Sequence, residues 1–175
     1  MPISICTDSL REAAGSLRAG DRILLSGPLY TARDAAHKRL FALLDEGQPL
    51  PFPLMDAVIY YSGSTPAPGG LPIGACGPTT SGRMDFFTPR LHDLGLCATI
   101  GKGARSRDVV EAIRRHRGMY LCAVGGAGAL PDRDGPAVGG ARPGGHGRGI
   151  KEKRKKRRSG RSGRQKCDGL RGNRL

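Results

Sequence analysis

The chain has 175 residues, of which 38% are apolar, enough for one sizeable core, so it reads as one domain or one domain plus a tail. Its formal charge of +14 points first to a nucleic-acid partner, but residues 131–175 hold 15 Lys and Arg against 4 Asp and Glu, and residues 1–130 only 14 against 11. The basicity belongs to the tail. Five scattered cysteines with no Cys-x-x-Cys pair spell out neither a disulfide framework nor a zinc or cluster site. They read as reduced and mostly buried, with Cys76 singled out because it adjoins a Gly-Pro-Thr-Thr segment. No stretch approaches the roughly 18 apolar residues of a membrane span, and the start lacks the basic-then-apolar pattern of a secretory signal. A cytoplasmic location is expected.

In chain order, residues 21–26, 56–61, 97–100 and 119–124 are short apolar runs bounded by Gly, Pro or Asp, and they predict strands buried on at least one face. Thr31 with Asp34 three residues on forms a capping box, and His37, Leu40, Phe41 and Leu44 follow at helical spacing, which predicts a helix over about 32–45. Thr88 and Pro89 predict an N-cap and first helical position for a short helix closed by Gly95. Ser106 starts another, with Val109, Val110 and Ile113 directed inward. Strands alternating with helices predict an α/β or mixed α+β fold with the chemistry on loops at strand ends. From Pro131 onward Gly, Pro, Arg and Lys dominate without apolar periodicity, which predicts a disordered tail.

Gly77-Pro78-Thr79-Thr80-Ser81 concentrates Gly, Pro and three hydroxyls, a composition suited to cradling an anion and equally to an ordinary turn with Ser81 as an N-cap. Arg83 and Asp85 follow on the same segment. Arg33 falls near the second position of the predicted helix, where a cation is unfavourable by about 0.3 to 1 kcal/mol, and a local rule broken without visible gain marks a functional candidate. Lys102 sits between Gly101 and Gly103 beyond a predicted strand, glycines that allow close backbone approach to a ligand. No nucleotide fingerprint surrounds it. Arg forks and a Lys point charge suit a small dicarboxylate, and a cation about 4 Å from a carboxylate contributes about 4 kcal/mol at an effective dielectric near 20, before desolvation. Proton abstraction beside a carboxylate builds further negative charge there, so cations already aimed at it lower the barrier. His37, His92, His116 and His146 form no catalytic or metal constellation by spacing.

Gly27-Pro28-Leu29-Tyr30-Thr31-Ala32-Arg33-Asp34-Ala35-Ala36-His37-Lys38-Arg39-Leu40, Ile59-Tyr60-Tyr61, Pro66-Ala67-Pro68, Ile73-Gly74, Gly77-Pro78-Thr79-Thr80-Ser81, Arg83-Met84-Asp85, Ile100-Gly101-Lys102-Gly103 and Gly125-Gly126 together resemble the C-terminal (β) domain of class I, iron–sulfur fumarate hydratases and the β subunit of L-tartrate dehydratase. The order and spacing match over roughly residues 15–130. The resemblance implies a swivelling β/β/α domain over residues 1–130, closing on a site shared with an α component whose four-iron four-sulfur cluster acts as Lewis acid. No cofactor is expected on this chain itself, and the implied assembly is a hetero-oligomer without a membrane or nucleic-acid partner. It further implies that Arg33, Thr79, Thr80, Arg83 and Lys102 bind a dicarboxylate such as fumarate or malate, with Thr79 in the position of catalytic base and Arg83 supporting catalysis. Tartrate is the near alternative substrate; a nucleic-acid-binding arm over residues 148–174 is the alternative of another class. Residues 131–175 do not resemble the family's continuation, and a shifted reading frame in a GC-rich gene is the expected origin of that segment; an uninterrupted frame at the genomic locus would dismiss it.

Overall fold

A computed structural model describes residues 1–66 and 74–123. Among the described residues six strands and four α-helices follow in the order β1 (Ile3–Cys6), α1 (Leu10–Ala13), β2 (Ile23–Ser26), β3 (Tyr30–Thr31), α2 (Asp34–Asp45), β4 (Val58–Tyr60), α3 (Thr88–Asp93), β5 (Ala98–Gly101), α4 (Arg107–Arg115) and β6 (Met119–Cys122). A 3₁₀ turn over Ser81–Met84 leads into α3. The expected α/β class is observed, and the named strands of the described residues pair in parallel: β1 lies beside β2, and β3-β4-β5-β6 form a second sheet in sequence order. The expected strands at 21–26, 56–61, 97–100 and 119–124 all form; three are trimmed at one or both ends, and that at 97–100 is shifted by one residue to Ala98–Gly101. The tail from residue 131, Gly125-Gly126 and part of the Pro66-to-Ile73 stretch lie outside the described residues.

Alternation along the strands explains the layering. Ile59 and Tyr61 turn one way, into a core with Ala32, Met84, Leu91 and Leu96 against which α2 places Ala36, Phe41 and Leu44. Val58, Ala98, Ile100, Met119 and Leu121 turn the other way, into a core with Ile5, Leu10, Ile23 and Leu25 of the β1–β2 unit. A residue period of two on a sheet buried on both sides gives this division directly. The four-stranded sheet is thus covered by helices on one face and by the small sheet on the other.

Two helix starts differ from expectation. Thr31 does not cap α2: Tyr30 and Thr31 pair with Ile59 and Tyr60, and Ala32 N–H reaches the Tyr60 carbonyl at 3.1 Å, so the sheet holds the chain extended through residue 32. The N-cap is Arg33, which offers no side-chain acceptor, and its carbonyl takes the first helical bond from His37 N–H at 2.9 Å. Thr88 is the first residue inside α3 rather than its cap, because its hydroxyl donates back to the Met84 carbonyl at 2.8 Å. Ser106 caps α4 as expected, accepting from Val109 N–H. Val109 and Ala112 are buried on that helix, but Val110 faces solvent, one helical step off the apolar stripe.

His37 and His92 are fully buried, and desolvation lowers both pKa values below the ordinary histidine range. Each Nδ1 faces a backbone carbonyl, Arg33 and Leu96 respectively, and so carries the proton, which leaves each Nε2 without a partner among the described residues. Because the unfolded chain protonates these rings first as pH falls, it binds more protons than the fold, and stability declines from about pH 7 toward about pH 5. Urea unfolding across that range checks this; a flat profile contradicts the buried, neutral assignment.

Candidate functional site at the carboxyl edge of the sheet

In a parallel sheet the loops leaving the strand C-termini converge on one edge, the usual location of ligand sites in such folds. Here that edge gathers the segment after β3 (Arg33, Asp34), the segment after β4 (Tyr61, Ser62, Gly63), the Gly77-to-Asp85 segment and the segment after β5 (Lys102). Thr79 N–H donates to the Tyr61 carbonyl at 2.8 Å, Lys102 N–H to the Thr79 carbonyl at 3.3 Å and Ser81 N–H to the Lys102 carbonyl at 2.9 Å. Thr80 and Lys102 form a parallel bridge, and Ser62 and Pro78 an antiparallel one. The threonine loop is therefore stitched to the segments that follow β4 and β5. Thr79, Thr80 and Lys102 are brought together by backbone bonds.

Arg83 comes to the same edge by a side-chain route. Its Nε and Nη2 donate to Asp34 Oδ1 and Oδ2 at 3.1 and 2.6 Å, a fork that ties the 3₁₀ turn to the first residue of α2. Arg33 is the residue before, and its guanidinium lies against the backbone of Gly63: a Cβ added there would fall 2.8 Å from Arg33 Nε. Arg33, Asp34, Arg83, the threonine loop, Ser62 and Gly63 thus form a closed circuit of contacts. All five residues expected at the site occupy this edge. Among the described residues neither Arg33 nor Lys102 pairs with a carboxylate, so two cationic groups remain available there.

Gly63 gives a test of that arrangement. The group a Gly63→Ala methyl would meet is the free end of a long side chain, so the fold should tolerate it within about 0.5 kcal/mol while Arg33 is displaced. Affinity for a small dicarboxylate should then fall several-fold with little change in the urea midpoint. Unchanged affinity would remove Arg33 from the site.

Sequence reasoning missed the platform beneath the loop. Arg105 has a side chain only 2% exposed; its Nε pairs with Asp85 at 2.7 Å, and it donates to Thr99 Oγ1 at 3.1 Å and Thr88 Oγ1 at 2.8 Å. Its guanidinium lies 5.2 and 4.9 Å from the Tyr61 and Tyr120 ring centres. Asp85 accepts in addition from Ser106 N–H at 2.6 Å, locking the end of the threonine segment to the start of α4. Ser81 is buried and donates to Tyr120 Oη at 2.9 Å, whose own proton goes to the Gly103 carbonyl at 2.8 Å. Gly101 makes room for this: a Cβ there would sit 2.0 Å from Ser81 Oγ. Gly101 therefore serves packing, and Gly103 a left-handed turn with φ +85°. Ser81 proves a buried tether and not a helix cap. On the far side, Cys76 Sγ contacts Ser62 Oγ at 2.8 Å, and Ser62 and Tyr60 donate to the Gly77 and Cys76 carbonyls.

Among the described residues no group of three or more His, Cys, Asp or Glu side chains could hold a metal ion, and no helix is long and apolar enough to cross a membrane. Fold and site define a layered α/β domain that presents arginine, lysine and threonine side chains along the carboxyl edge of a parallel sheet. The sequence matches the family described as fumarase C-terminus over residues 1–134, and the chain belongs to that family. It is similar to fumarate hydratase 2 of Leishmania major (38% identity over 128 residues, 73% of this chain and 22% of that protein) and to the anaerobic class I fumarate hydratase of Escherichia coli (41% over 110 residues, 62% and 20%). It is also similar to a putative L(+)-tartrate dehydratase subunit beta of Methanocaldococcus jannaschii, 33% identical over 117 residues, 65% of this chain and 60% of that protein. The chain spans about a fifth of the length of the fumarate hydratases it matches.

Proposed function

We propose that this chain is the β component of a fumarase-type hydro-lyase, acting with an iron–sulfur α component in the reversible hydration of fumarate to L-malate. The observation that carries the reading is the convergence of Arg33, Arg83 and Lys102 with the Thr79-Thr80 loop on one sheet edge. The relatives named fumarate hydratase support the reaction class. Arg33, Arg83 and Lys102 would bind the carboxylates and stabilise the charge that builds when the proton beside one of them is removed. Thr79, held by backbone bonds on both sides, would act as the base; a threonine hydroxyl is a weak base unless cations stabilise its alkoxide, and Lys102, whose backbone bonds to that of Thr79, would supply that cation. The Lewis acid for the departing hydroxyl belongs, on this reading, to the cluster of the α component. Residues 1–130 would act as the swivelling domain, with residues 131–175 outside the reaction.

Anaerobic mixing with an α component bearing three cluster-type cysteines tests the reading. Malate formation from fumarate, retained when the chain is cut at residue 131, is expected. Turnover of L-tartrate instead of malate would shift the substrate, and salt-sensitive nucleic-acid binding lost on the same truncation, without hydratase activity, would replace the reading altogether.

A further inference from the structure

Asp34 is the one carboxylate of the described residues placed within the circuit of cationic and hydroxyl side chains, and an anion site gains nothing from an anion by Coulomb's law alone. Its geometry explains its presence. The fork from Arg83 uses the Nε and Nη2 edge of the guanidinium, so the remaining Nη1 and Nη2 edge is held in a fixed direction with donors to spare. The same Asp34 is the first residue of α2, where its charge suits the helix end, and it follows directly on Arg33. Arg33 in turn is anchored through its carbonyl, which accepts from both His37 N–H and His37 Nδ1 at 2.9 and 3.0 Å. The backbone that carries one arginine therefore supplies the carboxylate that aims the other.

We infer that Asp34 is a positioning residue which fixes the separation of Arg33 and Arg83 and so selects ligands with two carboxylates over ligands with one. The inference rests on the dicarboxylate reading above. Both side chains are partly open to water, at 57% for Arg83 and 36% for Asp34, so the pair acts by orientation more than by stability. Two opposing signs make it testable. If Asp34 acted only through its charge, Asp34→Asn would tighten the binding of any anion. If it aims Arg83, the same change weakens dicarboxylate binding in spite of the more positive site.

The experiment titrates the full chain and its Asp34→Asn, Arg83→Lys and double variants with L-malate and with L-lactate, which has the same hydroxy acid but a single carboxylate, following amide shifts at Arg33, Thr79 and Lys102. Expected are a loss of about tenfold in malate affinity for Asp34→Asn, a change within about twofold for lactate, and no further loss on adding Asp34→Asn to Arg83→Lys. A general loosening of the fold would weaken both ligands alike and leave their ratio intact. Asp34→Glu, which keeps a carboxylate fork, should restore part of the malate affinity. Unchanged or tighter malate binding by Asp34→Asn, or fully additive losses in the double variant, overturns the positioning role while leaving the dicarboxylate site standing. Failure of the unaltered chain to bind malate at these residues overturns the dicarboxylate reading, and the inference with it.

Discussion

Replacing Arg105 by Met lowers the unfolding free energy by about 3 to 5 kcal/mol, because it leaves the Asp85 carboxylate, only 15% exposed, without its ionic partner. The loss extends beyond one pair. Thr99 and Thr88 each lose a donor, and the Tyr61 and Tyr120 rings lose the guanidinium between them. Asp85 would keep the Ser106 N–H bond, which is why partial folding at low temperature is compatible with the expectation. Adding Asp85→Asn should recover part of the loss, since the dominant penalty is an uncompensated buried charge rather than a lost attraction. Urea unfolding of the single and double variants measures both effects. A single-variant loss below about 1 kcal/mol would show that the network under the threonine loop contributes little.

Arg83→Ala should separate from Arg105→Met in kind. Its side chain is exposed and its pair with Asp34 lies at the surface, so its removal should change stability by less than about 1 kcal/mol. On the proposed reading, an enzyme assembled with an α component should lose on the order of 3 kcal/mol or more in kcat/KM, over a hundredfold, through loss of a charge-assisted contact to the reacting carboxylate. If that contact strengthens as charge builds, the loss falls mainly on kcat; a rise in KM alone would assign Arg83 to substrate binding without a share in the chemistry. Near-normal turnover would remove Arg83 from the site.

Much of the scaffold was legible because its signals are local. Four apolar runs gave four strands, and the Ser106 cap and the Gly95 stop were read from single residues whose chemistry admits few alternatives. What escaped depends on partners distant in sequence. β1, exposed at its first two residues, and β3, only two residues long, do not announce themselves, and exist because β2 and β4 supply their hydrogen bonds. The Thr31 capping box failed for the same reason: pairing with Tyr60 prevailed over a local cap.

The five candidate site residues were legible from residue type and from family resemblance, and they share one edge. Arg105 gave no signal, since an arginine in Gly-Ala-Arg-Ser reads as a solvated loop residue until Asp85, Thr88 and Thr99 are folded around it. Asp34 was read as half of a capping box and not as a partner of Arg83, 49 residues away. Its Asp-after-Arg placement in a helix start was the available clue.

On the proposed reading the edge formed by Arg33, Thr79, Thr80, Arg83 and Lys102 binds a dicarboxylate. An NMR titration of the full chain with L-malate tests it most directly, without need of the α component. Saturable amide shifts at Arg33, at Thr79 through Arg83 and at Lys102, with a dissociation constant of about a millimolar, are predicted. Shifts confined to residues remote from this edge, or none at malate concentrations of about ten times that value, would contradict it.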